Sequence, residues 1–156
     1  MVKNTVLAAL IEKLESDFKT LKHAALATYE DATHEESKPE NKYDTRALEA
    51  SYLAGAQAQR VADTAEILLF CQNLKIRNQI KVGIGALVKV ISNEKINYFF
   101  YLPKGGGITI QVDEKIISII SPASPLGKAM HGLEPGDVAE IEMNSIKKLY
   151  EIISVI

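Results

Sequence analysis

A regular spacing of apolar side chains in the N-terminal part of the chain constrains the fold more than any other feature. Apolar or small residues recur every three or four positions, which is the pattern of a heptad seam. The seam is formed by Leu7, Ile11, Leu14, Phe18, Leu21, Ala25, Thr28 and Ala32. It predicts one continuous helix over about residues 4–32, which at ~1.5 Å per residue is roughly 40 Å long.

A second long helix is predicted over about residues 38–74. Its seam is made mostly of small residues: Ala47, Ala54, Ala58, Val61, Ala65 and Leu68. Small residues on one helix that face large ones on another allow close approach. Gly55 costs ~1 kcal/mol relative to alanine inside a helix, so we expect it at a close contact, with a local bend as the alternative. The connection is short, and it therefore predicts an antiparallel coiled-coil hairpin.

The connection between the two helices is crowded with carboxylates. The order Ser37-Lys38-Pro39-Glu40 has the form of a capping box, in which Ser37 and Glu40 satisfy each other's backbone amides at a helix start. The acidic residues around it are Glu30, Asp31, Glu35, Glu36, Glu40 and Asp44. Helix N-termini favour acidic residues, but Glu30 and Asp31 stand at the other end of a helix.

This crowding has two interpretations. Carboxylates at a helical tip can bind a hard cation such as Mg²⁺ through one or two oxygens, and a partner supplies the remaining ligands. A solvated charged turn would account for the same composition. Both interpretations stay open on the residues alone.

The chain changes character after Leu74, where β-branched residues replace alanine. Six strands are predicted, over residues 84–91, 97–102, 108–112, 115–120, 138–143 and 149–155. Turns are predicted at Asn93-Glu94 and at Asp113-Glu114, and a short helix at residues 124–131. The pattern predicts a mostly antiparallel sheet with one short helix. The domains are therefore placed at residues 1–77 and 78–156, and the fold class is α+β.

Composition excludes several classes of protein. The 156 residues carry a formal net charge of -2, which argues against a general nucleic-acid-binding body. The single cysteine, Cys71, excludes a disulfide framework and is interpreted as a small core residue. No apolar run reaches the length of a membrane span, and we expect a mature N-terminus and a cytoplasmic location. Gly105-Gly106-Gly107 lacks the partners of a phosphate-binding loop and is interpreted as a wide turn.

Two stretches resemble the bacterial Gre transcript-cleavage factors. Ser37-Lys38-Pro39-Glu40-Asn41 is similar to the tip motif of that family. The order Ser121-Pro122-Ala123-Ser124-Pro125-Leu126-Gly127-Lys128, continued by His131-Gly132-Leu133-Glu134-Pro135-Gly136-Asp137, resembles its C-terminal signature. The resemblance implies a coiled-coil hairpin followed by an FKBP-like domain that docks on bacterial RNA polymerase. The protein would be an accessory factor, not an enzyme, and a monomer.

The resemblance also implies roles for the tip. The hairpin would enter the secondary channel of the polymerase, and Glu36 and Glu40 would help the polymerase site hold Mg²⁺ and cleave backtracked nascent RNA. Glu35 and Asp44 are secondary candidates. No cofactor is expected in the free protein. Ser37 stands where the family has an aspartate, so an inhibitor that enters the channel without stimulating cleavage is the alternative.

Two further alternatives come from other classes. A peptidyl-prolyl isomerase or chaperone would need an aromatic pocket, and the sequence offers Tyr98-Phe99-Phe100-Tyr101. These residues are consecutive, so at most alternate ones share a face of a strand. The other alternative is a structural coiled-coil adaptor with a dimerising sheet.

Overall fold

A computed structural model of the protein describes residues 2–34 and 45–156, with the side chains of Ala47 and Met143 left aside. The elements are, in order, α1 (Lys3–Thr33), α2 (Arg46–Asn73), β1 (Leu87–Ser92), β2 (Lys95–Tyr101), β3 (Thr109–Val112), β4 (Lys115–Ile120), α3 (Pro125–Met130), β5 (Val138–Met143) and β6 (Ile146–Val155). The α+β class is confirmed. The predicted start of the second helix, its capping box and the acidic connection lie outside the described residues.

The chain divides into two compact units. One unit contains residues 11–72, and the other combines residues 1–10 with residues 73–156. The first turns of α1 therefore belong with the sheet: Val6 and Leu10 are fully buried, and Lys3 Nζ donates to Arg77 O at 2.6 Å. The predicted division at residue 77 stays a prediction.

The helical unit has the predicted antiparallel direction. Gln72 Nε2 near the end of α2 donates to Glu15 Oε1 near the start of α1 at 3.4 Å. Residues 22–33 of α1 and 51–61 of α2 line one common cavity further along. The seam of α1 forms its more buried face, as predicted, with Leu14 almost fully buried. None of the helices in the described ranges is long and apolar enough to cross a membrane.

The expectation for Gly55 is wrong. A Cβ at this position would meet nothing within 4 Å. Gly55 therefore makes no close helix contact and lies in the wall of the cavity. The cavity measures about 530 Å³. Small residues permit close approach of two helices, but they bring too little apolar area to enforce it.

The sheet unit is built on six strands in the order β3-β4-β2-β1-β6-β5. The strand pairs are antiparallel except β2 and β4, which are parallel. The prediction of a mostly antiparallel sheet holds, and the exception has a topological reason. After β2 the chain crosses to the edge as β3, and β4 then returns between β3 and β2.

Two-residue turns join three of the strand pairs. Asn93-Glu94, Asp113-Glu114 and Asn144-Ser145 all have positive φ, between 48° and 62°, as type I′ hairpins require. The first two turns were predicted from the sequence. The third shortens the predicted connection, because β6 begins at Ile146 and not at residue 149. Lys147 and Lys148 are both exposed, so the sequence shows no alternation of apolar and polar residues at the start of β6. Their backbones nevertheless pair with β5.

One face of the sheet holds an apolar core. Its central members include Val88, Tyr101, Met130 and Ile152, all almost fully buried. The short helix α3 contributes Met130 to this core, with Leu126 and Ala129 packed at its border. The packing holds the segment that connects β4 to β5 on the same face of the sheet.

Candidate functional site

The acidic candidates from the sequence lie in the segment between the two long helices. Glu35, Glu36, Glu40 and Asp44 all fall outside the described residues. The described carboxylates nearest to them in sequence, Glu30 and Asp31, are exposed in the last turn of α1. Within residues 2–34 and 45–156, no three His, Cys, Asp or Glu side chains form a group that could hold a metal ion. The Mg²⁺ role of Glu36 and Glu40 stays a prediction.

Threonine hydroxyls make local hydrogen bonds at the two helix ends that border this segment. Thr33 Oγ1 donates to Tyr29 O at 2.9 Å in the last turn of α1. At the start of α2, Thr45 Oγ1 donates to Glu49 Oε1 at 2.7 Å. Each threonine uses its hydroxyl locally, as is common where helices begin and end.

The second candidate segment, residues 121–132, is tightly ordered by local hydrogen bonds. Ser124 is the N-cap of α3: its Oγ accepts from Gly127 N at 3.0 Å and donates to Ser121 O at 2.9 Å. Pro125 follows the cap, where its missing N–H costs nothing. The sequence predicted a short helix over residues 124–131, and this helix is confirmed.

Gly127 is required by its surroundings. A Cβ on Gly127 would lie 1.9 Å from Ser121 O, which is a backbone atom. The same residue offers its own carbonyl to Tyr101 Oη, which donates at 3.1 Å from the core. Gly127 is therefore the point at which α3, the loop before it and β2 come together.

His131 closes the segment. Its backbone N–H donates to Gly127 O at 3.1 Å, and its Nδ1 lies 3.3 Å from Tyr101 Oη. In the sequence, His131 is only the last residue of the predicted helix over residues 124–131, because its neighbour Tyr101 is distant in the chain. Burial of Tyr101 raises the pKa of its phenol, so the hydroxyl stays protonated and available as a donor.

The loop after α3 is held by a second set of contacts. Gly132 and Gly136 adopt φ of 79° and 96°, which non-glycine residues rarely adopt. Gly132 N donates to Val82 O at 2.8 Å, and Asp137 Oδ2 accepts from Glu134 N at 2.8 Å. The glycine and aspartate positions of the signature thus have structural reasons.

Part of the segment 121–132 is exposed to solvent. Pro122, Pro125 and Lys128 are exposed, while Ser121 and Met130 are buried. A rigid surface of this kind can bind a partner with little loss of conformational entropy. We call residues 121–132 the docking segment.

The other sequence candidates have structural explanations. Cys71 is fully buried, and burial raises the pKa of its thiol to about 11, which confirms it as a core residue. Phe99, Phe100 and Tyr101 are buried, with Phe99 and Tyr101 in the same core. Tyr98, by contrast, is half-buried. The isomerase alternative stays a hypothesis.

Comparison with known proteins agrees with this signature. Residues 78–156, half of the chain, match the family model for the C-terminal domain of the transcription elongation factor GreA/GreB. The transcription elongation factor GreA of Clostridium kluyveri, from two strains, is 35% identical over 74 residues, which cover 47% of this chain and 44% of that protein. The chain thus matches less than half the length of these relatives.

Two solved structures are also similar to the whole chain. GreA factor homolog 1 (Gfh1) of Thermus thermophilus is 18% identical, with 95% of both chains covered and a TM-score of 0.38. Gfh1 of Thermus aquaticus is 17% identical, with 95% of this chain and 94% of that one covered and a TM-score of 0.39.

The protein therefore has two units, a pair of long helices and a six-stranded sheet domain that carries the short helix α3. The chain belongs to the GreA/GreB family of transcription elongation factors.

Proposed function

We propose that this protein is an accessory factor of bacterial RNA polymerase that docks through the docking segment. The observation that carries the proposal is the capped, glycine-dependent geometry of residues 121–132, inside the half of the chain that matches the family model. The buried groups of the segment make hydrogen bonds and close contacts that fix its conformation. Its exposed Pro122, Pro125 and Lys128 are free to meet a partner surface.

The helical unit supplies reach. Within this unit α1 contributes residues 11–33 and α2 residues 46–72, which correspond to roughly 35 and 40 Å at ~1.5 Å per residue. We infer that this unit enters the secondary channel of the polymerase. It would present the acidic segment to the catalytic centre, in indirect contact with the nascent RNA.

The carboxylates of Glu36 and Glu40, with Glu35 and Asp44 secondary, would share Mg²⁺ with the polymerase only inside the complex. The chemistry would be two-metal hydrolysis by the polymerase's own site, so the protein needs no active site of its own. This function places a monomeric protein in the cytoplasm, away from membranes. The alternative is a channel-binding inhibitor of transcription, which Ser37 favours because a serine is a poor Mg²⁺ ligand.

Transcript cleavage on stalled elongation complexes tests the proposal. If the tip shares Mg²⁺, Glu36→Gln and Glu40→Gln should each remove most of the stimulation without weakening polymerase binding. A glutamine at position 40 can still complete a capping box, so helix content should change little.

Ser37→Asp separates the two versions of the function. An aspartate keeps a good N-cap and adds the missing carboxylate. Faster cleavage by this variant would identify Ser37 as the limiting residue. If none of the three variants alters cleavage while initiation is inhibited, the tip acts as a steric plug and the inhibitor alternative is correct.

A further inference from the structure

A small pocket on the sheet, outside the docking segment, collects cationic and hydroxyl groups. Its volume is about 240 Å³, and it is lined by Leu87, Lys89, Tyr98, Lys115, Ser154 and Ile156. That volume is below the roughly 300–1,000 Å³ of sites for drug-sized ligands, so it suits a compact ligand. No acidic side chain lines it, and all its residues lie in the described part of the chain.

The register of the sheet places the polar groups of this pocket in one row. Ser154 of β6 pairs with Lys89 of β1, and Lys89 pairs with Tyr98 of β2. Directly paired residues share a face, and neighbouring strands lie about 4.8 Å apart. Tyr98 pairs in turn with Ile117 of β4, and Lys115 lies two residues earlier on the same face of that strand.

The two lysines have no ion-pair partner among the residues that the structure describes. Among the residues that the structure describes, Lys89 has no carboxylate within ion-pair distance, and the contact recorded for Lys115 is with the Tyr98 ring, 5.7 Å from Nζ to the centroid. Contacts of this kind hold an ammonium over the electron-rich face of an aromatic ring. Tyr98 thereby positions Lys115 at the pocket.

Lysine on a sheet often protects an edge strand against aggregation, but that explanation does not apply here. The strands β1, β2, β4 and β6 are all interior in the order β3-β4-β2-β1-β6-β5. Two lysines that line one concave site raise its positive potential, and their like charges repel each other. A bound anion would remove that repulsion.

The geometry points to a binding site for the phosphoryl group of a small molecule in this pocket. A phosphoryl dianion offers three or more acceptor oxygens, and the row offers two ammonium groups and two hydroxyls as donors. Leu87 and Ile156 add apolar side chains to the lining. The site lies in the matched half of the chain but does not depend on polymerase binding.

Titration of the full-length protein with pyrophosphate, followed by NMR, tests this site at constant ionic strength. The amide signals of Lys89, Tyr98, Lys115 and Ser154 should shift together and saturate. Lys89→Gln and Lys115→Gln should each weaken binding about tenfold, the loss expected for one charge-assisted contact. Lys148→Gln is the matched control. Lys148 also lies on β6, but the bulge between the pairs Lys89–Ser154 and Val90–Ile152 puts it on the other face of the sheet.

The outcomes separate the possibilities. Inorganic phosphate and adenosine monophosphate should compete with pyrophosphate, whereas an oligonucleotide without a terminal phosphate should not. The inference would be overturned if the oligonucleotide bound as tightly as pyrophosphate. It would also be overturned if Lys148→Gln weakened binding as much as Lys89→Gln and Lys115→Gln, or if the chemical shifts did not saturate. Retention of RNA polymerase by both lysine variants would show that the site and the proposed docking are independent.

Discussion

The two units of this protein bury their side chains very differently. Among the described residues of the helical unit, the buried hydrophobic ones are Leu14, Ala54 and Cys71, while Leu26, Tyr52 and Leu69 are more than half exposed. The sheet unit buries a contiguous core around Val88, Tyr101, Met130 and Ile152. The sheet unit can therefore hold a precise surface by its own packing. The helical unit gains less from burial and depends more on helix propensity and local hydrogen bonds.

Glycine-to-alanine substitutions should show the largest difference between the two units, because their effects on stability should have opposite signs. Gly127→Ala places a Cβ against Ser121 O and should lower the free energy of unfolding by about 4 kcal/mol. Gly55→Ala meets nothing and should raise helix stability by about 1 kcal/mol. Urea denaturation with hydrogen exchange of strand and helix amides measures both. Equal signs would contradict the contrast between the units.

Truncation of an apolar side chain should cost more stability in the sheet unit than in the helical unit. Met130→Ala removes a fully buried side chain from the sheet core and should cost about 3 kcal/mol. Leu26→Ala removes a side chain that is 53% exposed and should change stability by less than about 0.5 kcal/mol. A comparable loss for both variants would mean that the helical unit has a more closely packed core than its exposed residues indicate.

The stability of the protein should fall in alkaline solution through Cys71. Burial raises the pKa of this thiol from its ordinary 9.0 to about 11, so between these pH values the folded chain keeps a proton that the unfolded chain loses. Stability is therefore fully present below pH 9.0 and declines as pH rises toward 11, by up to about 2 kcal/mol. The difference between the wild type and Cys71→Ala, measured by urea denaturation from pH 8 to pH 11, isolates this contribution. A pH-independent difference would contradict the burial of the thiol.

The sequence predicted the local elements better than the distances between them. Heptad spacing and strand alternation located α1, β4 and β5 almost to the residue, since these patterns depend on near neighbours. The contact of Tyr101 with Gly127 and His131 joins residues 26 and 30 positions apart, and no local pattern reports it. The cavity beside Gly55 could not be predicted either, because small residues are compatible both with close helix contact and with a gap between the helices.

The functional candidates divide in the same way. The motif of residues 121–137 could be read from the sequence because its glycines and prolines are fixed by backbone geometry. The lysine row of the sheet could not, because Lys89 and Lys115 meet only through the pairing of β1, β2 and β4. The roles of Glu36 and Glu40 depend on a partner and remain predictions.

Direct binding to core RNA polymerase tests the central claim. The full-length protein should bind the purified polymerase saturably, and Lys128→Glu, an exposed change in the docking segment, should weaken binding by about tenfold or more. Lys95→Glu, an equal change of charge at the exposed start of β2, should leave it unaltered. Failure of the wild-type protein to bind core polymerase, or equal weakening by both variants, would contradict docking through residues 121–132.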